Sequence, residues 1–321
     1  MSTPQTMVSR AEAYLAERRR LGFALDTSGD LTLDFASFAD ANSCDEHLTA
    51  DIVLQWAKQE AKVAKPFTWA RRVNVLKPFA RYLKESEPKT EFPSGAPFGR
   101  AKRRLAPHIF TLDEIERLVM AARRLAPEGG LASATFTTLF GLLASTGLRI
   151  SEALHLHCND LDEERSLLTI RNAKFQRSRL VPLHPTTTKA VHTYLQVRAR
   201  YGPTDRTAPL FLCERTGNSV KYSSVRHAFL RVSGELGIVA RGGHRAIRIH
   251  DLRHTFICRR LMLWQENGAD IGNAMMALST YVGHVNVGDT YWYLQAVPEL
   301  MAIAGNRFET LGRKFKDVDH D

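Results

Sequence analysis

The stretch Ile249–Thr255 reads Ile-His-Asp-Leu-Arg-His-Thr. In a helix, His250, Arg253 and His254 stand at i, i+3 and i+4 and share one face. That face carries one permanent cation and two groups that titrate near neutral pH, which suits an anionic substrate and proton transfer. A solvated helix edge accounts for the same triplet. A zinc helix is a third reading, because His-x-x-x-His presents two imidazoles to one side. Other places carry comparable chemistry. Thr146-Gly147-Leu148-Arg149-Ile150-Ser151-Glu152 sets an arginine three residues before a carboxylate, Val282-Gly283-His284 precedes Tyr293, and Lys174 sits among other cations.

The elements that must position these residues are mainly helical, with one small β-hairpin. Residues 1–95 read as short helices forming a basic module. Met7–Leu21 ends in Arg18-Arg19-Arg20, where cations suit the helix dipole. Thr49 predicts a cap for a helix carrying Ile52, Val53, Trp56 and Ala57 at helical spacing. Another helix is expected over about Thr68–Lys84, with Val73, Leu76, Phe79, Ala80 and Leu83 on one side and Arg71, Arg72, Lys77, Arg81 and Lys84 on the other. Pro78 should kink it. The cationic side is either solvated or a grip on DNA phosphates.

Residues 96–107 read as a basic linker, because prolines and glycines break regular structure before Arg100, Lys102, Arg103 and Arg104. Residues 108–321 form the second domain. It opens on the capping-box pattern Thr111-Leu-Asp-Glu114 and continues into an apolar segment ending at Thr146-Gly147. A helix is expected from about Ser151 through Leu156. Leu167–Ile170 and Leu180–Leu183 predict two strands, joined by a loop of about eight residues rich in Lys174, Arg177 and Arg179. Helices are expected near Thr187–Arg198 and Ser223–Leu236, and the tail from Pro298 to about Phe315 is amphipathic.

A chain of 321 residues at 44% hydrophobic and 24% charged is globular rather than disordered, and long enough for two cores. Its formal charge of +10 favours a polyanionic partner, most simply nucleic acid. Cys44, Cys158, Cys213 and Cys258 form no Cys-x-x-Cys pair, which argues against a zinc finger or a disulfide framework and fits a reducing cytoplasm. No signal peptide and no run of eighteen apolar residues is present, so no membrane span is expected.

In chain order, Arg149, Lys174, His250-x-x-Arg253, Gly283-His284 and Tyr293 resemble the tyrosine recombinases, the phage-integrase family of DNA breaking and joining enzymes. The likeness covers Thr111 to about Leu311 and includes the interval from Lys174 to Val181-Pro182-Leu183. Phe175 and Val282 depart from the residues common at those places. The N-terminal helical part is similar to the family's core-binding domain in size, helicity and basic character. The implied fold is mainly α with a small sheet, a core-binding domain joined to a recombinase catalytic domain.

The resemblance implies roles. Tyr293 is the nucleophile, forming a 3′-phosphotyrosyl link and freeing a 5′-hydroxyl. Only about one free phenol in a thousand is ionised at pH 7, so a base or a positive field is required. Arg149 and Arg253 bind the phosphate, Lys174 protonates the leaving oxygen, His250 is the proton-transfer partner nearest the tyrosine, and His284 donates to the phosphate. Glu152 orients its neighbours. The family's interval from Gly-His selects Tyr293 over Tyr291. His254 and Asp251 read as structural rather than catalytic. Asp251 also stands where a zinc helix needs glutamate, and His155-x-His157-Cys158 reads as surface.

The implied partner is double-stranded DNA, held by a homo- or hetero-tetramer, with a monomer off DNA and the C-terminal segment docking on a neighbouring protomer. No metal, ATP or other cofactor is implied. Arg71, Arg72, Arg81, Arg100, Lys102, Arg103 and Arg104 are the further candidates for DNA contact. A type IB topoisomerase and a DNA-binding protein without catalysis are the alternatives.

Overall fold

The structure is a computed structural model and describes residues 6–42, 47–59, 65–101, 104–125, 127–173, 177–203 and 205–296. Lys102, Arg103, Lys174 and the amphipathic tail from Pro298 therefore lie outside the described residues. The chain divides into two compact units, Met1–Arg104 and Leu105–Asp321.

The first unit is built from α1 (Met7–Arg20), α2 (Asp26–Ala41), α3 (Ala50–Lys58) and α4 (Pro66–Ser86). Thr6 and Thr49 cap α1 and α3 by accepting the backbone N–H three residues on. Met7, Leu15, Phe35, Trp56 and Phe79 form the centre of one apolar core. Proline at the first position of α4 loses no bond, since that N–H has no helical partner, and its ring keeps Lys65 extended. The helix therefore starts two residues before the sequence pattern does. It also runs on past Pro78 to Ser86. Pro78 faces solvent while Leu76, Phe79, Ala80 and Leu83 are buried, and that packing offsets the bond the ring removes.

The stretch read as a linker is partly absorbed into each unit. Phe98 packs on the first core, edge-on to Trp69 at 5.4 Å. Ala106 accepts the Gly243 N–H at 2.8 Å within the second unit.

The second unit contains α5 (Leu112–Ala122), α6 (Leu131–Thr146), α7 (Ile150–Leu154), β1 (Leu161–Asp162), β2 (Leu167–Ala173), β3 (Arg177–Pro182), α8 (Pro185–Arg198), α9 (Tyr222–Glu235), α10 (His250–Glu266), α11 (Ile271–Val282) and α12 (Gly288–Ala296). Thr111 and Glu114 make the reciprocal capping box at the start of α5. The strands form an antiparallel sheet in the order β1-β2-β3, with Leu168 opposite Val181 and Ile170 opposite Arg179. Both hairpin strands are longer than the apolar pattern suggests. Arg171, Arg177 and Arg179 break the alternation, yet the ladder resumes with Ala173 opposite Arg177 after an irregularity. The backbone pairs whatever its side chains are, so the intervening loop shrinks.

Leu139, Phe140, Leu143, Leu168, Val181, Phe229 and Leu252 belong to the main core of this unit. A second cluster joins Ile257, Cys258 and Leu261 of α10 to Met275, Leu278 and Val282 of α11 and Tyr293 of α12. Among the described residues no helix is long and apolar enough to cross a membrane.

Candidate active site

The site is assembled where two helices end. α6 closes on Gly147 and α11 on Gly283, both left-handed, with φ of 64° and 70°. Such ends leave carbonyls without helical partners and carry the negative end of the helix dipole. Two guanidiniums fill that need. Arg253, buried on α10, donates to the Gly147 carbonyl at 2.7 Å and the Val282 carbonyl at 2.8 Å. Arg149 donates to the Gly283 carbonyl at 2.7 Å. Burial, followed by repulsion from Arg149, lowers the Arg253 pKa to about 10, which still leaves it charged at neutral pH.

Glu152 ties the arginines together. Its carboxylate accepts Arg149 Nη1 at 2.7 Å and the Arg149 backbone N–H at 2.9 Å. Arg179, from β3, grips the same carboxylate through both terminal nitrogens at 3.0 and 2.9 Å and donates Nε to the Tyr281 carbonyl at 2.9 Å. Burial opposes ionisation of Glu152, but the Arg179 hydrogen bonds and charge, reinforced by Arg149, win and hold its pKa at about 2. A β-carbon on Gly283 would lie 2.7 Å from Arg179 Nη1, so this glycine is needed for space as well as for its φ.

The aromatic side of the site comes from α10 and α12. Tyr293 is 3% exposed, whereas Tyr291 is 44% exposed. The Tyr293 hydroxyl lies 2.7 Å from Nδ1 of His254. His284 stacks nearly parallel to the Tyr293 ring, with centroids 6.4 Å apart, and pairs its Nδ1 with Thr290 Oγ1 at 2.7 Å. His250 packs edge-on to His254 at 4.6 Å.

The sequence reading put His250 next to the tyrosine and His254 in the scaffold; the structure reverses that order. α10 begins at His250, and α12 delivers Tyr293 one turn farther along, to the i+4 imidazole. Asp251 is fully buried and accepts both the Arg248 backbone N–H and its guanidinium, which matches the scaffold reading.

All three histidines are disfavoured as cations. Burial first, then His250 and Arg248, draws the His254 pKa down to about 2. Burial and then Arg253 lower His284 to about 3. His250 keeps a face open to solvent, yet the protein crowded around it and then Arg253 bring it to about 4. At neutral pH the site thus holds neutral imidazoles beside permanent guanidiniums, a setting that attracts an anion and can pass protons.

Of the residues read from the sequence, Arg149, Glu152, His250, Arg253, His284 and Tyr293 converge here. Sequence reasoning missed Arg179 and set His254 aside. Arg179 carried a faint signal, as a cation in a strand two residues before Val181-Pro182. His155 and His157 do not meet: His155 Nδ1 contacts the Ser151 carbonyl and His157 pairs with Asp160. In the first unit, Arg71 and Arg81 are exposed, as are Arg100 and Arg104. Arg72 instead lies over the Trp56 ring at 4.2 Å and donates to the Gln59 carbonyl and to Asp34.

The phage integrase family model matches residues 108–299. A Sinorhizobium fredii protein described as an integrase/recombinase is 34% identical over 97% of this chain and 99% of its own length. The tyrosine recombinase XerD of Caulobacter vibrioides is 28% identical over 79% of each chain. Among solved structures, the XerH site-specific recombinase bound to its palindromic difH substrate is 18% identical, with a TM-score of 0.63 over 88% of this chain and 79% of its own.

Proposed function

This chain belongs to the phage integrase family, and from that premise we propose that it is a site-specific DNA recombinase that cuts and rejoins strands through Tyr293. One observation carries the reading: the buried Tyr293 phenol reaches the face of α10 that holds Arg253, within electrostatic range of that guanidinium. A pure DNA binder needs the cations but not the tyrosine.

A phosphodiester is a monoanion whose transition state gathers charge on its non-bridging oxygens. Each guanidinium has five donors in a planar fork, and the two helix ends engage only part of each set. The remaining donors of Arg149 and Arg253 suit those oxygens, and His284 adds a donor beside them. The Tyr293 oxygen attacks phosphorus and becomes a 3′-phosphotyrosine, while Lys174 supplies the proton for the departing 5′-oxygen. The phosphotyrosine conserves the bond energy for rejoining, so the chemistry needs neither metal nor ATP. Two duplexes present four strands and each chain offers one Tyr293, so exchange calls for four protomers on DNA, from one or two kinds of chain. The exposed cations Arg71, Arg81, Arg100 and Arg104 suit the phosphate backbone.

The test is covalent trapping. Nicked suicide duplexes tiled across the DNA flanking the gene, incubated in EDTA, should yield a protein–DNA adduct that survives denaturation. Tyr293→Phe should abolish it and Tyr291→Phe should not. An adduct that requires magnesium, or one that persists in Tyr293→Phe, refutes the reading.

A further inference from the structure

We infer that the segment Arg241–Arg248, which leads into α10, is a second phosphate-binding site, holding through Arg245 a DNA backbone phosphate that flanks the one under attack. The inference deepens the recombinase reading and rests on its claim that DNA is the substrate. Its ground is a cationic segment, tied down at both ends, whose middle arginine has no acid to pair with. Between Glu235 and Asp251 the chain carries no carboxylate, while Arg241, His244, Arg245 and Arg248 follow one another closely.

The upstream end is fixed to residues 105–114. Arg241 grips both oxygens of Glu114 at 2.6 Å and donates to the Ile109 carbonyl at 2.8 Å. Its backbone N–H donates to His108 Nδ1 at 3.2 Å. The Gly243 N–H bonds to the Ala106 carbonyl at 2.8 Å, and a β-carbon on Gly242 would lie 2.5 Å from that same oxygen. Only glycine allows so close an approach, so the segment lies directly on the backbone beneath it. The downstream end is fixed by Asp251, which accepts the Arg248 N–H at 2.8 Å and its Nη2 at 2.7 Å.

Those anchors engage the nearby acids. Glu114 serves Arg241 and buried Asp251 serves Arg248, whereas Arg245 is exposed and forms no ion pair among the described residues. An unpaired guanidinium on a segment already held in place loses little entropy on gripping an anion. His244 stands beside it; burial, then the charge of Arg248, keeps its imidazole neutral, with one ring N–H to donate.

The segment shares its field with the catalytic pocket, because the charge of Arg248 acts on His250 and His254 as well as on His244. Five steps of chain separate Arg245 from His250, so their α-carbons lie within about 18 Å. A DNA strand presents one phosphate per about 3.4 Å of helix axis, which sets the phosphate that Arg245 reaches within about eight steps of the bond that is cut. Such a contact fixes the register of the duplex and reads no sequence.

The test is interference by neutral phosphates. The full chain is titrated onto duplexes from the DNA flanking the gene, each carrying one methylphosphonate in place of a backbone phosphate. Wild type should lose about tenfold in affinity at a position within about eight steps of the bond mapped by the covalent adduct. Arg245→Ala should show that loss on unmodified DNA and be indifferent to the methylphosphonate at that position. Its slope of log affinity against log salt should be shallower by about 0.9, and Arg245→Lys, which keeps the charge, should restore the slope. An Arg245→Ala protein that is as sensitive as wild type at every position, or whose slope is unchanged, overturns the inference and leaves Arg245 a solvated cation. The two readings fail separately. Adducts with no dependence of binding on Arg245 count against this inference alone, and Arg245-dependent binding without any adduct counts against the recombinase reading while the phosphate site stands. No DNA binding by the wild type overturns both.

Discussion

Arg179 and Glu152, twenty-seven positions apart in sequence, form a fork-to-fork pair in which both carboxylate oxygens are held, at 3.0 and 2.9 Å. The pair locks β3 to the residue that orients Arg149. Arg179→Ala leaves a buried carboxylate with half its partners, and Arg149 then loses its fixed direction. Misplacing a phosphate-binding group by about 1 Å costs on the order of 100-fold in rate, so cleavage should fall by about that much while DNA affinity changes little. Arg179→Lys should recover only part of the rate, because an ammonium cannot reproduce the fork. Matched single-turnover and binding assays decide it: equal losses in both would make Arg179 a binding or folding residue instead.

Gly283 answers to the same pair. Alanine there meets Arg179 Nη1 at 2.7 Å and must also adopt a φ of 70°. Gly283→Ala should destabilise the catalytic unit by about 1–3 kcal/mol and reduce cleavage by displacing Arg179. In the Arg179→Ala background Gly283→Ala should cost no further cleavage, and an added loss there would argue against the clash; chemical denaturation beside the trapping assay reads both effects.

Histidine burial makes stability depend on pH. His254 and His284 have folded pKa values of about 2 and 3, below their ordinary 6.5, so the unfolded chain binds protons first as pH falls. Their contribution is complete above about pH 6.5 and drains away below it, by at most about 1.4 kcal/mol per pH unit for each group. Glu152, held at about 2, adds a loss in the same direction only below pH 4.5. Urea midpoints from pH 7.5 to 5 should therefore decline, and His254→Phe should flatten the decline. A pH-independent midpoint in the wild type contradicts the account.

Arg72 and Arg81 share a helix but should behave differently. Arg72 sits on Trp56 and bonds inside its own unit, while Arg81 is exposed. Arg72→Ala should lower the stability of the helical unit by about 1–2 kcal/mol. Arg81→Ala should leave stability alone, weaken DNA binding, and reduce the slope of log affinity against log salt by about 1 if it meets a phosphate. An unchanged slope would mark Arg81 as a merely solvated cation.

The sequence by itself determined the helical class, because apolar residues at helical spacing, the Thr111–Glu114 box and the glycines at 147 and 283 act locally. It also marked Arg149, Glu152, His250, Arg253, His284 and Tyr293, because residue type and order survive folding unchanged. It found the hairpin but drew its strands too short, because charged side chains hid a ladder made by backbone groups. It placed Arg72 with the open cations, since nothing local shows that an arginine lies over Trp56. The tertiary structure alone decided that Arg179 holds Glu152 and that His254, not His250, meets the Tyr293 hydroxyl. Both contacts join separate elements, β3 to α7 and α10 to α12. Which turn of α10 faces the tyrosine depends on where α12 packs, and no spacing within the HDLRH stretch encodes that position.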